Sequence, residues 1–147
     1  MLITYKTEIS EAALAFIKRN ESGRLKPESL SFYENPTSPI AVFEGRGGEK
    51  NFIIGIAACS LDIENKKAGF NITVVSRYHR NEGLGTKLLS SKLAFLKNLD
   101  IPYECCVASD NGASLSMCLK NSLKLTTIER KERSSGIFNS FLLKSVD

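Results

Sequence analysis

Two glycines precede a leucine-rich helical pattern in the stretch RYHRNEGLGTKLL, which runs from Arg77 to Leu89. Glycine has no Cβ, so the backbone at Gly83 and Gly85 can turn sharply and approach a ligand closely. The first amides of a helix have no partner within the helix, and the helix dipole adds partial positive charge there. The pattern Arg80-x-x-Gly83-x-Gly85 therefore predicts an anion site, for which a pyrophosphate is a suitable occupant.

Two common phosphate-binding loops do not fit this stretch. A Walker A loop needs Gly-Lys followed by Ser or Thr, whereas this chain has Gly85, Thr86 and Lys87 in that order. A dinucleotide-binding GxGxxG motif would need glycine where Leu88 stands. A plain tight turn into a helix stays open as the alternative, although one glycine would suffice for it.

The chain before this loop predicts a short strand, two helices and three strands. Ser10 is a suitable N-cap for a helix over residues 11–19, and Pro27 fits the first turn of a second helix. Short turns between the three strand patterns predict an antiparallel meander. The predicted ranges are a strand near 3–5, helices at 11–19 and 27–35, and strands at 39–45, 51–61 and 68–76.

The chain after the loop continues with alternating helix and strand patterns. Its predicted ranges are a helix at about 83–98, a strand within 100–109, a helix at 111–122 and a hairpin of strands at 124–132 and 137–145. The first of these helices has a predicted apolar stripe that consists of Leu84, Leu88, Leu89, Phe95, Leu96 and Leu99. The whole order, β-α-α-β-β-β-α-β-α-β-β, predicts an α/β (α+β) fold with a mixed, mostly antiparallel central sheet and helices on both faces.

Length and composition describe one ordinary globular domain over residues 1–147. The net charge of +4 comes without a long basic run or aromatic-basic interleaving, which disfavours a nucleic-acid partner. No apolar run reaches the roughly 18 residues that span a bilayer, and the first residues lack a secretory signal, so we expect a cytoplasmic protein without a membrane partner. The four cysteines and single histidine lack metal-site spacing, which predicts buried, reduced thiols that pack as small hydrophobes, and no metal.

Two stretches resemble the GCN5-related N-acetyltransferase (GNAT) family. GFNITVVSRYHRNEGLGTKLLSSKLAFLKN, residues 69–98, is similar to the family's acetyl-CoA motif, in which an R/Q-x-x-G-x-G/A loop joins the fourth strand to the third helix. CCVASDNGASLSMCLKNSL, residues 105–123, resembles the strand and helix that follow in the family. The element order resembles the family's from near residue 1 to the end, which implies a GNAT-like fold.

The resemblance implies a set of acetyl-CoA contacts. The backbone of Val74 and Val75 would pair with the pantetheine amides, where the fourth and fifth strands of the family splay apart. Asn111 would contact the pantetheine arm, and it is also a suitable N-cap for the following helix. The pyrophosphate would be held by the loop residues Arg80, Asn81, Glu82, Gly83, Leu84, Gly85 and Thr86.

The chain departs from the family where a tyrosine usually donates a proton to the leaving CoA thiolate. Cys118 stands at that position, and Ser122 and Leu123 replace a Gly-Phe pair. Cys118 is therefore the candidate catalytic residue, although its thiol is a short and weak donor, and a position that faces the thioester without chemistry is the alternative. No general base is evident: His79 is expected to be a solvated loop residue.

The resemblance implies an acetyl-CoA-dependent N-acetyltransferase that acetylates a primary amine of a small molecule or protein, with acetyl-CoA as co-substrate. One alternative is a catalytically weak CoA-binding regulatory or interaction protein of the same fold. A second is a module that binds nucleic acid or a protein partner through its basic surface. A homodimer is left open.

Overall fold

The computed structural model describes residues 1–133 and 136–145. The chain divides into two compact units, Met1–Ile101 and Pro102–Asp147. Within the described residues the order of elements is the predicted one. The elements are β1 Leu2–Lys6, α1 Glu11–Asn20, α2 Pro27–Glu34, β2 Ile40–Gly47, β3 Phe52–Asp62, β4 Lys67–Val75, α3 Leu84–Asn98, β5 Glu104–Ala108, α4 Gly112–Lys120, β6 Lys124–Arg133 and β7 Gly136–Lys144.

The first unit contains a four-stranded sheet in the order β1-β2-β3-β4, and every neighbouring pair is antiparallel. The first helix begins as its sequence predicts, because Ser10 Oγ accepts a hydrogen bond from Ala13 N at 3.0 Å. In the described part of the chain, no helix combines the length and the apolar character that crossing a membrane requires.

Helices pack on both faces of this sheet, as predicted. On one face, α1 and α2 bury an apolar cluster against β2, β3 and β4. On the other face, Phe95 of α3 lies near Tyr5 and Phe43, with ring centroids 4.9 and 5.6 Å away. The cluster consists of Ala13, Phe16, Ile17, Phe32, Tyr33, Ile40, Val42, Ile56, Ala58, Ile72 and Val74.

Two glycines let α3 approach the sheet closely. Gly45 of β2 and Gly55 of β3 are direct partners across the two strands. A Cβ on Gly55 would lie 2.5 Å from Leu88 Cδ1, and one on Gly45 would lie 3.4 Å from Leu88 Cδ2. The first half of α3 therefore packs directly against the backbone of β2 and β3 at these two glycines. This close packing brings the loop before α3 near the sheet.

A bulge interrupts β4. The register between β3 and β4 shifts between Ala58 and Ser60, and Phe70 in β4 has the left-handed φ of +45°. The Phe70 ring stacks on Phe32 of α2, with centroids 4.3 Å apart and planes 4° from parallel. The bulge is therefore packed directly against α2.

The second unit contains a three-stranded antiparallel sheet in the order β5-β7-β6. Leu143 of β7 is fully buried and pairs with Cys105 of β5 and Leu125 of β6, so β7 is the central strand of this sheet. The turn predicted at 133–136 includes residues 134 and 135, which lie outside the described residues.

Candidate functional site

A compact turn joins β4 to α3 in the first unit. Ser76 N donates to Ile54 O at 2.8 Å, which continues the strand pairing by one residue. His79 N donates to Ser76 O at 2.9 Å, and Tyr78 N donates to Ser76 Oγ at 3.3 Å. The chain therefore turns immediately after the strand, and the residues that follow lead into the start of α3.

The left-handed residues of this turn shape the start of α3. Asn81 has φ +64° and Gly83 has φ +79°. Gly83 is the N-cap and provides no side-chain cap, and the first helical bond runs from Lys87 N to Gly83 O at 3.2 Å. Left-handed residues at a helix start are typical of backbone nests that bind anions. The arrangement fits a diphosphate, because the first helical amides have no carbonyl partner inside the helix.

Gly83 is required for its backbone conformation and not for a close contact. An added Cβ would meet no atom within 4 Å. The φ of +79° lies in the region that side chains other than glycine rarely adopt. Gly83 is therefore a point at which the backbone turns, and the space next to it is open.

The Arg80 side chain binds the C-terminal end of α1. Its Nη2 donates to Asn20 O at 2.7 Å, and the guanidinium of Arg77 donates to Arg19 O. The Asn20 side chain completes the connection, since its Oδ1 accepts from Arg77 N at 3.1 Å. Cations at a helix C-terminus are stabilised by the helix dipole. Arg80 thus holds the loop in position from this side.

Val74 and Val75 lie at the end of β4, where they pair with Ile56 and Gly55 of β3. Because β4 is the last strand of the four-stranded sheet, its other edge has no neighbour within that sheet. Backbone groups along such an edge can pair with an extended ligand in the manner of a further strand. This fits the pantetheine contacts expected for the two valines.

Asn111 is the N-cap of α4 in the second unit. Its Oδ1 accepts from Ser114 N at 3.4 Å, and Leu115 N donates to its backbone oxygen at 3.1 Å. The side-chain oxygen of Asn111 is therefore occupied by the helix cap. The amide NH₂ of an asparagine is a separate double donor, so the capping role and a ligand contact are compatible.

Cys118 lies in the last turn of α4 and is 2% exposed. Its Sγ is 3.7 Å from Cys105 Sγ on β5. The helix ends in a Schellman motif, since Leu123 N donates to Cys118 O and Ser122 N donates to Leu119 O. Ser122 has φ +63°. It stands where the family usually has glycine, and its backbone has the conformation that favours glycine.

The predicted site residues therefore lie in two groups. The first unit contains Val74 and Val75 together with residues 80–86, of which Arg80 to Gly83 form the loop and Leu84 to Thr86 the first turn of α3. The second unit contains Asn111 and Cys118, at the two ends of α4. His79 differs from the expectation of a solvated loop residue: it is half-buried, and its Nδ1 is buried without a hydrogen-bond partner among the described residues.

Lys92 of α3 is a buried cation that the sequence analysis did not single out. It is fully buried, and its Nζ lies 3.4 Å from Ala58 O and 3.3 Å from Asn71 Oδ1, next to the bulge of β4. A signal existed, because Lys92 is four residues from both Leu88 and Leu96 on the apolar stripe. By contrast, Leu99, which the stripe included, is 37% exposed.

Two buried acidic groups of the first unit, Tyr33 and Cys59, have altered titration. Burial raises the pKa of the Tyr33 hydroxyl well above its usual range, and the nearby Cys59 adds to this effect. Burial also raises the pKa of the Cys59 thiol, which the charge of Lys92 partly offsets. Both groups are therefore neutral at physiological pH, which suits a packed interior better than proton transfer.

Glu44 of β2 was also missed. It is fully buried, and its Oε1 lies 3.1 Å from Lys6 Nζ and 2.9 Å from Arg46 Nη2. Its Oε2 has no hydrogen-bond partner in the described part of the chain. Because the Glu44 carboxylate is inaccessible and binds two cations through one oxygen, a structural role in an ion cluster is favoured over a role as general base.

The model of the acetyltransferase (GNAT) family matches residues 8–121. No curated protein sequence is similar enough to count as a relative.

Three similar solved structures cover almost the whole chain. Ribosomal-protein-S18-alanine N-acetyltransferase from Escherichia coli has a TM-score of 0.72 and 15% identity, covering 97% of this chain and 92% of its own. A mutant of spermidine N-acetyltransferase from Vibrio cholerae has a TM-score of 0.74 and 12% identity, with coverages of 98% and 94%.

The third is yncA from Salmonella typhimurium, solved with its cofactor acetyl-CoA, with a TM-score of 0.69, 16% identity and coverages of 97% and 92%. At such identities these likenesses establish the fold alone. The family match covers more than three quarters of the sequence and includes the loop at Gly83 and the helix of Cys118. The chain therefore belongs to the acetyltransferase (GNAT) family.

Proposed function

We propose that this protein is an acetyl-CoA-dependent N-acetyltransferase that acetylates a primary amine of a small molecule or a protein. One observation carries the proposal: the turn after β4 starts the 15-residue helix α3 at Gly83, in the left-handed conformation that exposes helical amides to an anion. Family membership supplies the acetyl donor. The proposal treats residues 1–147 as one functional domain.

The chain's own groups bind and orient the donor. The N–H groups at the start of α3 would bind the diphosphate, and the outer edge of β4 at Val74 and Val75 would pair with the pantetheine arm. Asn111 would contact the same arm through its NH₂ group. Acetyl-CoA supplies a thioester carbonyl that an amine can attack. Holding two reactants in line can contribute about 7–11 kcal/mol to lowering the barrier.

Positioning is the main source of rate in this proposal, because none of the described side chains stands out as the acid or base. Tyr33 and Cys59 are buried inside the first unit, and Glu44 is held in its ion cluster. Cys118 is buried against Cys105, which favours a packing role over proton donation to the CoA thiolate. The same burial supports the second candidate, a catalytically weak CoA-binding regulatory protein.

Binding of acetyl-CoA is the first test. Calorimetric titration should give saturable, one-to-one binding, and desulfo-CoA should compete because it keeps the diphosphate. Absence of binding would exclude both the enzyme and the regulatory CoA binder, and would leave a module that binds a different partner.

Acetyl transfer is the second test. The acceptor panel should contain peptides with free N-termini, polyamines, amino acids and aminoglycosides, with CoA release and acceptor mass as paired readouts. The structural neighbours act on a protein alanine and on spermidine, so both classes belong in the panel. Binding without acetyl transfer to any acceptor would favour the regulatory protein.

A further inference from the structure

Two cysteines of the second unit face each other. Cys105 of β5 and Cys118 of α4 have their Sγ atoms 3.7 Å apart, close enough for one thiol to donate its S–H to the other sulfur. Both are reduced and take part in no disulfide within the described part of the chain. They are separated by 13 positions along the chain, and the segment between them contains Asn111.

The other two cysteines are placed differently. Cys59 is fully buried in the first unit. Cys106 is exposed, contrary to the expectation of buried thiols, because it follows Cys105 on the same strand and its side chain points to the opposite face of β5. Cys105 is half-buried, whereas Cys118 is almost fully buried. A small oxidant therefore reaches Cys105 more readily than its partner.

We propose that Cys105 and Cys118 form a reversible disulfide site that is oxidised by hydroperoxides. In the first step the Cys105 sulfur takes one oxygen from the peroxide, which leaves as an alcohol or water, and Cys105 becomes a sulfenic acid. In the second step the Cys118 sulfur attacks the sulfenic sulfur, the S–O bond breaks and water leaves. Two thiols lose two electrons and two protons in total, and a dithiol reverses the reaction.

The geometry makes closure a local movement. A disulfide needs a sulfur–sulfur distance of about 2.0 Å, so the 3.7 Å gap requires only small side-chain and helix adjustments. Closure would attach the last turn of α4 to β5. It would also consume the thiol that stands at the family's tyrosine position.

The linkage test uses the Cys106→Ser background, which removes the exposed thiol and with it intermolecular disulfides. This background keeps three of the four thiols. After hydrogen peroxide treatment, a denaturing thiol titration should find one, and the intact mass should fall by two hydrogens. Cleavage of the chain before Asp110 separates Cys105 from Cys118, and the two peptides should stay joined until dithiothreitol is added.

Matched variants decide which thiols are joined. Adding Cys59→Ser to the background should leave the linkage intact. Adding Cys105→Ser or Cys118→Ser should abolish it, while circular dichroism confirms that each variant is folded. Sulfinic or sulfonic acids without a joined peptide pair, or a linkage that needs Cys59, would overturn the proposal.

An effect on acetyl transfer rests additionally on the proposed function. In the joined state we expect CoA release to fall at least fivefold and to recover with dithiothreitol, because α4 carries Asn111 and Cys118. A chain that forms the disulfide but binds no acetyl-CoA in either state would overturn the proposed function and leave the disulfide site standing.

Discussion

The Tyr33 hydroxyl donates a hydrogen bond to the Phe70 carbonyl oxygen, with 2.5 Å between the two oxygens. Phe70 is the left-handed residue of the β4 bulge, and Tyr33 belongs to α2. The bond therefore ties the second helix to the strand that leads into the Gly83 loop. From the opposite face, Lys92 contacts Asn71 of the same bulge. The bulge is thus held by polar contacts on both of its faces.

Tyr33→Phe should lower the free energy of unfolding by about 1–3 kcal/mol, because the Phe70 carbonyl loses its donor while the ring packing stays. Urea unfolding at neutral pH measures the change. Tyr5→Phe is the matched control, since Tyr5 is 45% exposed and should cost less than about 0.5 kcal/mol. Equal losses in the two variants would contradict the role of this bond.

The raised pKa of Tyr33 predicts a loss of stability at high pH. Above about pH 10 the unfolded tyrosine releases its proton while the folded one keeps it, so unfolding becomes easier as the pH rises. The slope from this group is at most about 1.4 kcal/mol per pH unit, and below pH 10 the full contribution is present. Urea unfolding at several alkaline pH values should give a steeper decline for the native chain than for Tyr33→Phe. Parallel curves would contradict the prediction.

Gly83→Ala should weaken acetyl-CoA binding at least tenfold, about 1.4 kcal/mol, because the strained residue disturbs the amides at the start of α3. Gly48→Ala is a close control. Its φ is +80°, and an added Cβ there also meets nothing within 4 Å. Both variants should lose similar stability, about 1–2 kcal/mol, but only Gly83→Ala should lose affinity in calorimetric titration. Unchanged affinity in a folded Gly83→Ala protein would contradict the diphosphate site.

With an acceptor amine identified, kcat can be measured for Cys118→Ala. We expect it to change by less than tenfold, because the thiol is packed against Cys105 and does not donate a proton to the CoA thiolate. The lost packing should cost about 1 kcal/mol of stability. Steady-state kinetics with paired melting curves measures both effects. A fall in kcat beyond tenfold, with normal acetyl-CoA affinity and no loss of stability beyond this amount, would contradict the packing role and favour proton donation by the thiol.

Ser122→Gly should raise the free energy of unfolding by about 1 kcal/mol, because φ at this position is +63° and glycine adopts it without the Cβ penalty. The same substitution at the exposed, mid-helix Ser116 should lower stability by about 0.5 kcal/mol. Thermal unfolding of the two variants should therefore shift in opposite directions. Shifts of the same sign would contradict the assigned backbone strain.

Local chemistry made much of this fold predictable. The cap at Ser10, the turn at Gly83 and the cap at Asn111 each depend on residues within three or four positions, so short sequence patterns were enough. The apolar stripe of α3 was predicted for the same reason. Leu99 was wrongly included in the stripe. It is the C-cap residue after the last turn of α3, and its side chain is exposed.

Contacts across the sheet were beyond local patterns. Tyr33 and Phe70 are 37 positions apart, and their bond exists only because the bulge turns one carbonyl toward α2. The bulge itself depends on the register between β3 and β4, which no single segment encodes. Glu44 was missed because a carboxylate in a strand usually faces water. Its burial depends on ion pairs with Lys6 of β1 and Arg46 of β2, and the first of these requires the pairing of two separate strands.

The Gly45–Gly55 pair carries a consequence for how this sequence can vary. Neither residue belongs to the loop, yet a Cβ at Gly55 would lie 2.5 Å from Leu88 Cδ1, so the fully buried Leu88 side chain of α3 would have to move. The packing beneath the first half of α3 thus depends on the volumes of three residues in three separate elements. An increase in size at Gly55 would have to be compensated by a smaller residue at position 88, so these positions should change together across generations and not independently.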